Sequence, residues 1–232
     1  MKIKGFTSVE QSFFDRSERG MMTSRTPYIV VNNFPDLGLL TSLRFLEWVA
    51  ENPRGVISLP TGKTPEYFIK WTQYLLSNWD KPQAEARRKD NGLMLAKKPD
   101  LRDLRFVQID EFYPINPKQH NSFYDYVNKF YLEGFHLNPK NALLINSDEI
   151  QLADGLHYTE VFPEGIIDLS LRNREPQSKP EAVQQKSLFK IDNWCTNYEK
   201  QIEAMGNIGF FLGGIGPDGH IAFNTRGSDH NS

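Results

Sequence analysis

Apolar positions along the chain switch between two periods. Tyr28-Ile29-Val30-Val31 is a short β-branched run and predicts a strand. Leu39, Leu43, Leu46 and Ala50 then recur at three- and four-residue spacing and predict a helix, stopped by Asn52-Pro53-Arg54-Gly55. Val56-Ile57-Ser58-Leu59 predicts a second strand, and Phe68, Trp71 and Leu75 a second helix. A third strand follows at Leu104-Arg105-Phe106-Val107-Gln108-Ile109, and a third helix is lined by Phe123, Tyr126, Val127 and Phe130. Ala142-Leu143-Leu144-Ile145 predicts a fourth strand. Leu188, Ile191, Cys195, Tyr198, Ile202 and Met205 stripe a fourth helix, and Ile208-Gly209-Phe210-Phe211-Leu212 is a fifth strand. Alternation of this kind implies a three-layer α/β fold: a mainly parallel, Rossmann-like sheet with helices on both faces. Ligands in such sheets bind beyond the carboxyl ends of the strands.

Two stretches break the alternation. Residues 81–103 hold seven basic residues (Lys81, Arg87, Arg88, Lys89, Lys97, Lys98, Arg102) and four acidic ones, and read as a solvated surface insertion. Residues 147–187 are rich in Pro, Gln and Ser around the apolar patch Gly165-Ile166-Ile167-Asp168-Leu169, and read as a second, long loop insertion. The 232 residues suit a single α/β domain carrying both insertions.

Composition narrows the function. The balance of 27 Lys+Arg against 29 Asp+Glu shows no basic excess for a nucleic-acid partner. One cysteine, Cys195, excludes an intrachain disulfide and a multi-cysteine zinc site, and the five histidines never take a metal-binding spacing. No apolar run approaches the ~20 residues of a membrane span. Met1-Lys2-Ile3-Lys4-Gly5 leads into a polar stretch, so no secretory signal and a cytoplasmic location are expected.

Candidate chemistry gathers at three strand ends. At Leu59-Pro60-Thr61-Gly62-Lys63-Thr64-Pro65-Glu66 a strand enters a glycine turn and then a helix. Thr64 suits the N-cap and Pro65 the first helical position. Backbone N–H groups there, with Lys63 adding charge, form an anion-binding loop as readily as an empty, well-capped helix start. A nucleotide P-loop needs a glycine at position 57, where Ile57 stands. At Val107-Gln108-Ile109-Asp110-Glu111, two acids close an apolar strand, and alternation lets only one face a given side. A carboxylate held beside apolar walls can serve as a general base; the alternative is a surface acid or a helix cap. At Gly213-Gly214-Ile215-Gly216-Pro217-Asp218-Gly219-His220, four glycines in seven residues force a sharp turn or a close approach to a ligand, and Asp218 could orient His220.

Taken together, these segments resemble the glucosamine-6-phosphate deaminase family, whose fold is shared in part with 6-phosphogluconolactonases. The matching pieces are Leu59-Pro60-Thr61-Gly62 with Thr64-Pro65, Ile109-Asp110-Glu111-Phe112 with His120-Asn121-Ser122-Phe123-Tyr124, Tyr198-Glu199, and Gly213-Gly214-Ile215-Gly216-Pro217-Asp218-Gly219-His220-Ile221-Ala222-Phe223-Asn224. They span residues 30–224 apart from the insertions. Phe112 and the run Ile221-Ala222-Phe223-Asn224 resemble the deaminase branch, since lactonases usually carry Arg after the acid pair.

The resemblance implies a deaminase-like hydrolase or aldose–ketose isomerase of amino-sugar metabolism. Thr61, Gly62, Lys63 and Thr64 would hold the sugar phosphate. Asp110 would move a proton between C2 and C1 of the open-chain sugar, with loss of ammonia. His220, oriented by Asp218, would assist ring opening, and no metal or organic cofactor is implied. Glu111, Gly214 and Gly216 would stand near the substrate. The alternatives are a lactone hydrolase using His220 to activate water, and a non-catalytic sugar-phosphate-binding module.

Three departures qualify the match. Lys63 stands where the family usually has a small residue. Thr225 stands where deaminases place a glutamate that pairs with the histidine; Asp229 could replace it only if the chain doubles back, and Asp229-His230 reads better as a polar tail. The chain ends eight residues after Asn224. On the family pattern it is therefore expected to be incomplete at its C-terminus, to turn over little substrate alone, and to self-associate or form part of a larger polypeptide.

Overall fold

In a computed structural model of the chain, the described residues are 4–17, 26–216, 218–222, 224, 225 and 227. Four strands, β1 (Val56–Ser58), β2 (Arg105–Val107), β3 (Ala142–Leu143) and β4 (Phe210–Phe211), form one sheet in the order β3-β2-β1-β4. All neighbouring pairs are parallel: Ile57 pairs with Phe106 on one side and with Phe210 on the other, and Phe106 pairs with Ala142. The carboxyl ends of β2, β1 and β4 therefore lie side by side along one edge of the sheet.

Strand alternation separates the two helical layers. Ile57, Phe106 and Phe210 turn to a large core shared with α1 (Ser8–Arg16), α2 (Phe34–Glu51) and α3 (Glu66–Ser77). That core continues into α5 (Phe123–Val127) and its π-helical extension Asn128–Glu133. Phe45 of α2 packs its ring against Phe68 and Phe210 at 5.6 and 5.5 Å, bridging helix, helix and sheet. Gly38 lets α2 and α3 touch: a Cβ there would lie 2.4 Å from Tyr67 Cβ. Val56 and Val107 face the opposite layer, where α7 (Lys179–Ala204) brings Trp194, Tyr198 and Ile202. The three-layer α/β reading holds.

The first expected strand is absent from the sheet. Residues 28–31 take no regular secondary structure, and Ile29 and Val31 pack half-buried on the large core. A cavity of about 500 Å³, lined by Tyr28, Ile29, Phe210 and Leu212, separates the segment from β4, so no hydrogen-bonded ladder closes.

The basic stretch 81–103 is only partly a solvated surface. It contains α4 (Pro82–Asp90), and Ala84, Leu93 and Leu101 join the large core. Six of its seven basic side chains are exposed, and Arg88 is buried. Arg88 stacks 3.6 Å over the Trp79 ring and donates from Nη1 to the Trp79 carbonyl. The stretch 147–187 is a loop only as far as Ser178. Short 3₁₀ turns and α6 (Tyr158–Val161) close over a small cluster of Leu152, Val161 and Phe162. Residues 179–187 are the first part of α7, whose N-cap is Ser178.

Candidate active site

The loop after β1 is built on two tyrosines. Leu59 is buried in the core, and the chain then turns through Gly62 at φ +80°, a conformation that favours glycine. The Pro60 carbonyl accepts a hydrogen bond from the Tyr131 hydroxyl, and the Gly62 carbonyl accepts one from Tyr126 at 2.8 Å. Among the described residues, no protein acceptor pairs with the amide N–H groups of Thr61, Gly62, Lys63 or Thr64. The loop thus offers unpaired donors to an anion. The expected Thr64 cap is not formed. α3 begins at Glu66 with Pro65 as its N-cap residue, and no side chain caps it. Thr64 instead packs on Gly214, where an added Cβ would lie 3.2 Å from Thr64 Cγ2.

After β2, the two acids take different tasks. Glu111 is held by four donors: its Oε1 accepts from the N–H groups of Phe112 (2.9 Å) and Phe123 (3.1 Å). Its Oε2 accepts from Ser122 Oγ (2.8 Å) and Tyr124 N–H (2.7 Å). It therefore closes the start of α5. Asp110 is half-buried, and burial, followed by the charge of Glu111, pushes its carboxyl above the usual aspartate range. Gln108 fixes the backbone beneath it. This buried side chain donates to the Asp110 carbonyl at 2.9 Å and accepts from Ile145 N–H at 3.0 Å. The Tyr198 hydroxyl, from α7, donates to the carbonyls of Gln108 and Leu143 and bolts β2 to β3 at their carboxyl ends.

After β4, Gly216 and His220 form a tight loop. Gly216 N–H donates to the His220 carbonyl, and Gly219 N–H donates back to Gly216, both at 2.9 Å. Gly216 is required by close approach, since a Cβ there would fall 2.0 Å from His220 Cε1. His220 Nδ1 donates to Asp218 Oδ1, which holds the Asp218 carboxyl below the ordinary aspartate range. Because a carboxylate only accepts, this bond places the proton on Nδ1 and leaves Nε2 for exchange with a ligand.

The three loops enclose a cleft of about 340 Å³. Thr61, Thr64, Asp110, Gly214, Gly216 and His220 all line it, together with Ile109, Phe123, Phe211 and Ile221. Its volume suits a small ligand. Gly62, Lys63, Glu111 and Asp218 do not line it. Lys63 and Gly62 are exposed, Glu111 is committed to α5, and Asp218 acts through the imidazole. Pro217, Phe223 and Asp229 lie outside the described residues. No cluster of three or more potential metal ligands occurs among the described residues, and no described helix is long and apolar enough to cross a membrane.

No model of a known protein family matches the chain. A glucosamine-6-phosphate isomerase of Candida albicans is 60% identical over 42 residues, which are 18% of this chain and 17% of that protein. A glucosamine-6-phosphate deaminase of Phocaeicola vulgatus is 66% identical over 38 residues, 16% of this chain and 14% of its own. Over these short segments the chain is similar to glucosamine-6-phosphate deaminases and isomerases. Its fold agrees with theirs along most of its length. A solved monomeric glucosamine-6-phosphate deaminase of the NagB superfamily superposes with a TM-score of 0.55, at 18% identity, covering 87% of this chain and 60% of that one. The matched segments thus span less than two thirds of each deaminase or isomerase compared.

Three residues that shape this cleft escaped the sequence reading as site residues. Tyr126 resembled a core position of an amphipathic helix, Tyr131 was not singled out, and Gln108 resembled a routine strand residue. A signal was present: Tyr126 and Tyr131 are five apart, which fits neither the three- nor the four-residue step of an α-helix.

Proposed function

We propose that the protein isomerises and deaminates an amino-sugar phosphate, with glucosamine 6-phosphate as the substrate. The observation that carries this reading is one cleft shared by an amide-rich loop, a half-buried carboxylate and a carboxylate-oriented imidazole. The phosphate sits on the amides of residues 61–64, with Lys63 adding charge from outside the cleft. His220 Nε2 exchanges a proton with the ring oxygen as the pyranose opens. Asp110 takes the C2 proton of the open-chain amino-aldose, and returns one at C1. The resulting ketimine adds water and expels ammonia to leave the ketose. The net reaction consumes one water, and only in that sense is it hydrolytic.

The raised Asp110 carboxyl suits proton shuttling, because a base near the working pH can both take and return a proton. The test supplies glucosamine 6-phosphate in deuterated water and follows ammonia, ketose phosphate and deuterium at C1. The ratio between wild type and Asp110→Asn is decisive, whatever the absolute rate. A loss of on the order of 10²-fold or more is expected. Substrate binding with no ammonia and no deuterium uptake would instead select a sugar-phosphate-binding module, and acid release from a sugar lactone would select the hydrolase.

A further inference from the structure

The loop that meets the anion does not shape itself. Its carbonyls at Pro60 and Gly62 are both engaged by hydroxyls from the helix after β2. In a trans peptide the C=O and the following N–H point in opposite directions. Fixing the Pro60 and Gly62 carbonyls on the tyrosines therefore turns the Thr61 and Lys63 N–H groups away from them. Those are two of the donors with no protein acceptor among the described residues.

The helix is built to present both hydroxyls together. In an uninterrupted α-helix, residues five apart sit about 140° from each other around the axis. Tyr131 lies within the π-helical turn Asn128–Glu133, and Tyr126 lies just before it. The wider turn swings the two rings toward one side, where they meet at 6.0 Å and 66°. Tyr131 is fully buried against Phe106 and Phe135, so its hydroxyl has a single fixed direction. Burial raises the Tyr126 hydroxyl to about 12, which keeps it a donor throughout the physiological range.

We propose that Tyr126 and Tyr131 are positioning residues for phosphate: they hold the Pro60 and Gly62 carbonyls so that the Thr61 and Lys63 amides are preset for an oxyanion. The proposal rests on the reading of residues 61–64 as the phosphate seat. It assigns the π turn a purpose, since without it the two hydroxyls could not share a loop.

The test is calorimetric titration of the whole chain with inorganic phosphate and with glucosamine 6-phosphate, for wild type, Tyr126→Phe and Tyr131→Phe. Loss of one neutral hydrogen bond corresponds to about a fivefold effect. Tyr126→Phe should weaken both ligands about fivefold, raise KM by the same factor and leave kcat unchanged. Amide exchange at Thr61 and Lys63 should quicken at the same time. Tyr131→Phe should act in the same direction; if it fails to fold, the half-buried Tyr126 carries the test alone. Unchanged phosphate affinity in Tyr126→Phe, with wild type binding phosphate normally, would overturn the positioning role and leave the phosphate seat standing. A lowered Tm with unchanged affinity would do the same, reducing the tyrosine to a structural prop. A wild-type protein that converts the sugar phosphate yet binds no inorganic phosphate, with a KM insensitive to Tyr126→Phe, would also overturn it.

Discussion

Exchanging each acid of the Asp110–Glu111 pair for its amide should separate stability from chemistry. Glu111→Gln keeps the shape of the side chain but replaces one carboxylate oxygen by NH₂. The remaining oxygen can serve one of the two donor pairs, and the NH₂ must face the other. If it takes the Oε2 position it meets Ser122 Oγ and Tyr124 N–H. The serine hydroxyl can rotate and accept, whereas the Tyr124 N–H cannot. One charge-assisted bond is lost outright and the rest are weakened, for a cost of about 2–3 kcal/mol. At about 2–4 °C per kcal/mol for a chain of this size, Tm should fall by about 4–12 °C. Asp110→Asn works the other way. The folded protein holds this carboxyl above its unfolded value, so the ionised group opposes folding once the pH has risen past the folded value. The penalty is absent below the unfolded value and grows as pH rises between the two. Its removal should leave Tm at neutral pH unchanged or higher, and should flatten the loss of stability on going from acid to neutral pH. Turnover should rank oppositely, falling by on the order of 10²-fold or more in Asp110→Asn and by less in Glu111→Gln. Scanning calorimetry across pH, paired with ammonia release, reads both. A Glu111→Gln protein with unchanged Tm and the larger kinetic loss would refute the division of labour.

Three further outcomes follow from the same geometry. Gly216→Ala should push the imidazole off Asp218, because the new Cβ would overlap the ring; NMR should show the His220 Nδ1–H signal lost, and turnover should drop while Tm changes by less than in Glu111→Gln. Lys63→Ala should weaken sugar-phosphate binding in a salt-dependent way if its charge assists from outside the cleft; unchanged affinity in calorimetry would show that the backbone amides suffice. Asp218→Asn should abolish a stabilisation that in the wild type is present above the unfolded aspartate value and is lost as pH falls through the depressed folded one; denaturant curves at several pH values should show that acid-side slope disappear.

Much of the framework was legible because it rests on short apolar runs bounded by turn residues. Val56, Ile57, Phe106 and Phe210 are buried or half-buried sheet positions that no helix period explains, and their strands run parallel as the alternation implied. Residues 28–31 have the same composition but meet a cavity rather than a neighbouring strand, and local propensity does not report which partner is present. The start of α7 was hidden because residues 179–187 are mostly polar. They meet the preceding loop through ion pairs of Glu181 with Arg174 and Lys186 with Asp154, and through Val183 on the small cluster, contacts that no periodicity displays. At the cleft, Asp110 and His220 were visible as acid and imidazole at strand ends. The opposite fate of Glu111 was not, since it depends on where Ser122 and Tyr124 return in space. Thr64 was misread as a cap because cap preference is statistical, whereas its actual contact, Gly214, lies 150 residues away in the chain.

The placement of β4 at the rim of the sheet carries a thermodynamic consequence. Asp110 and the 60–64 loop grow from the two central strands, each clasped on both sides, whereas the His220 loop grows from a two-residue strand that, among the described residues, is laddered to β1 alone. The cleft is thus assembled from two opening units of unequal depth. Native-state hydrogen exchange should find the amides of Gly209 and Leu212 opening at lower free energy than those of Arg105 and Gln108. A ligand touching both units taxes the shallow one, since part of its contact energy is spent closing the rim. It also lends that rim protection of about 2.7 kcal/mol at a hundredfold excess over Kd. Affinity and rim order are then one quantity seen from two directions: whatever firms the outer side of β4 tightens the ligand without touching it.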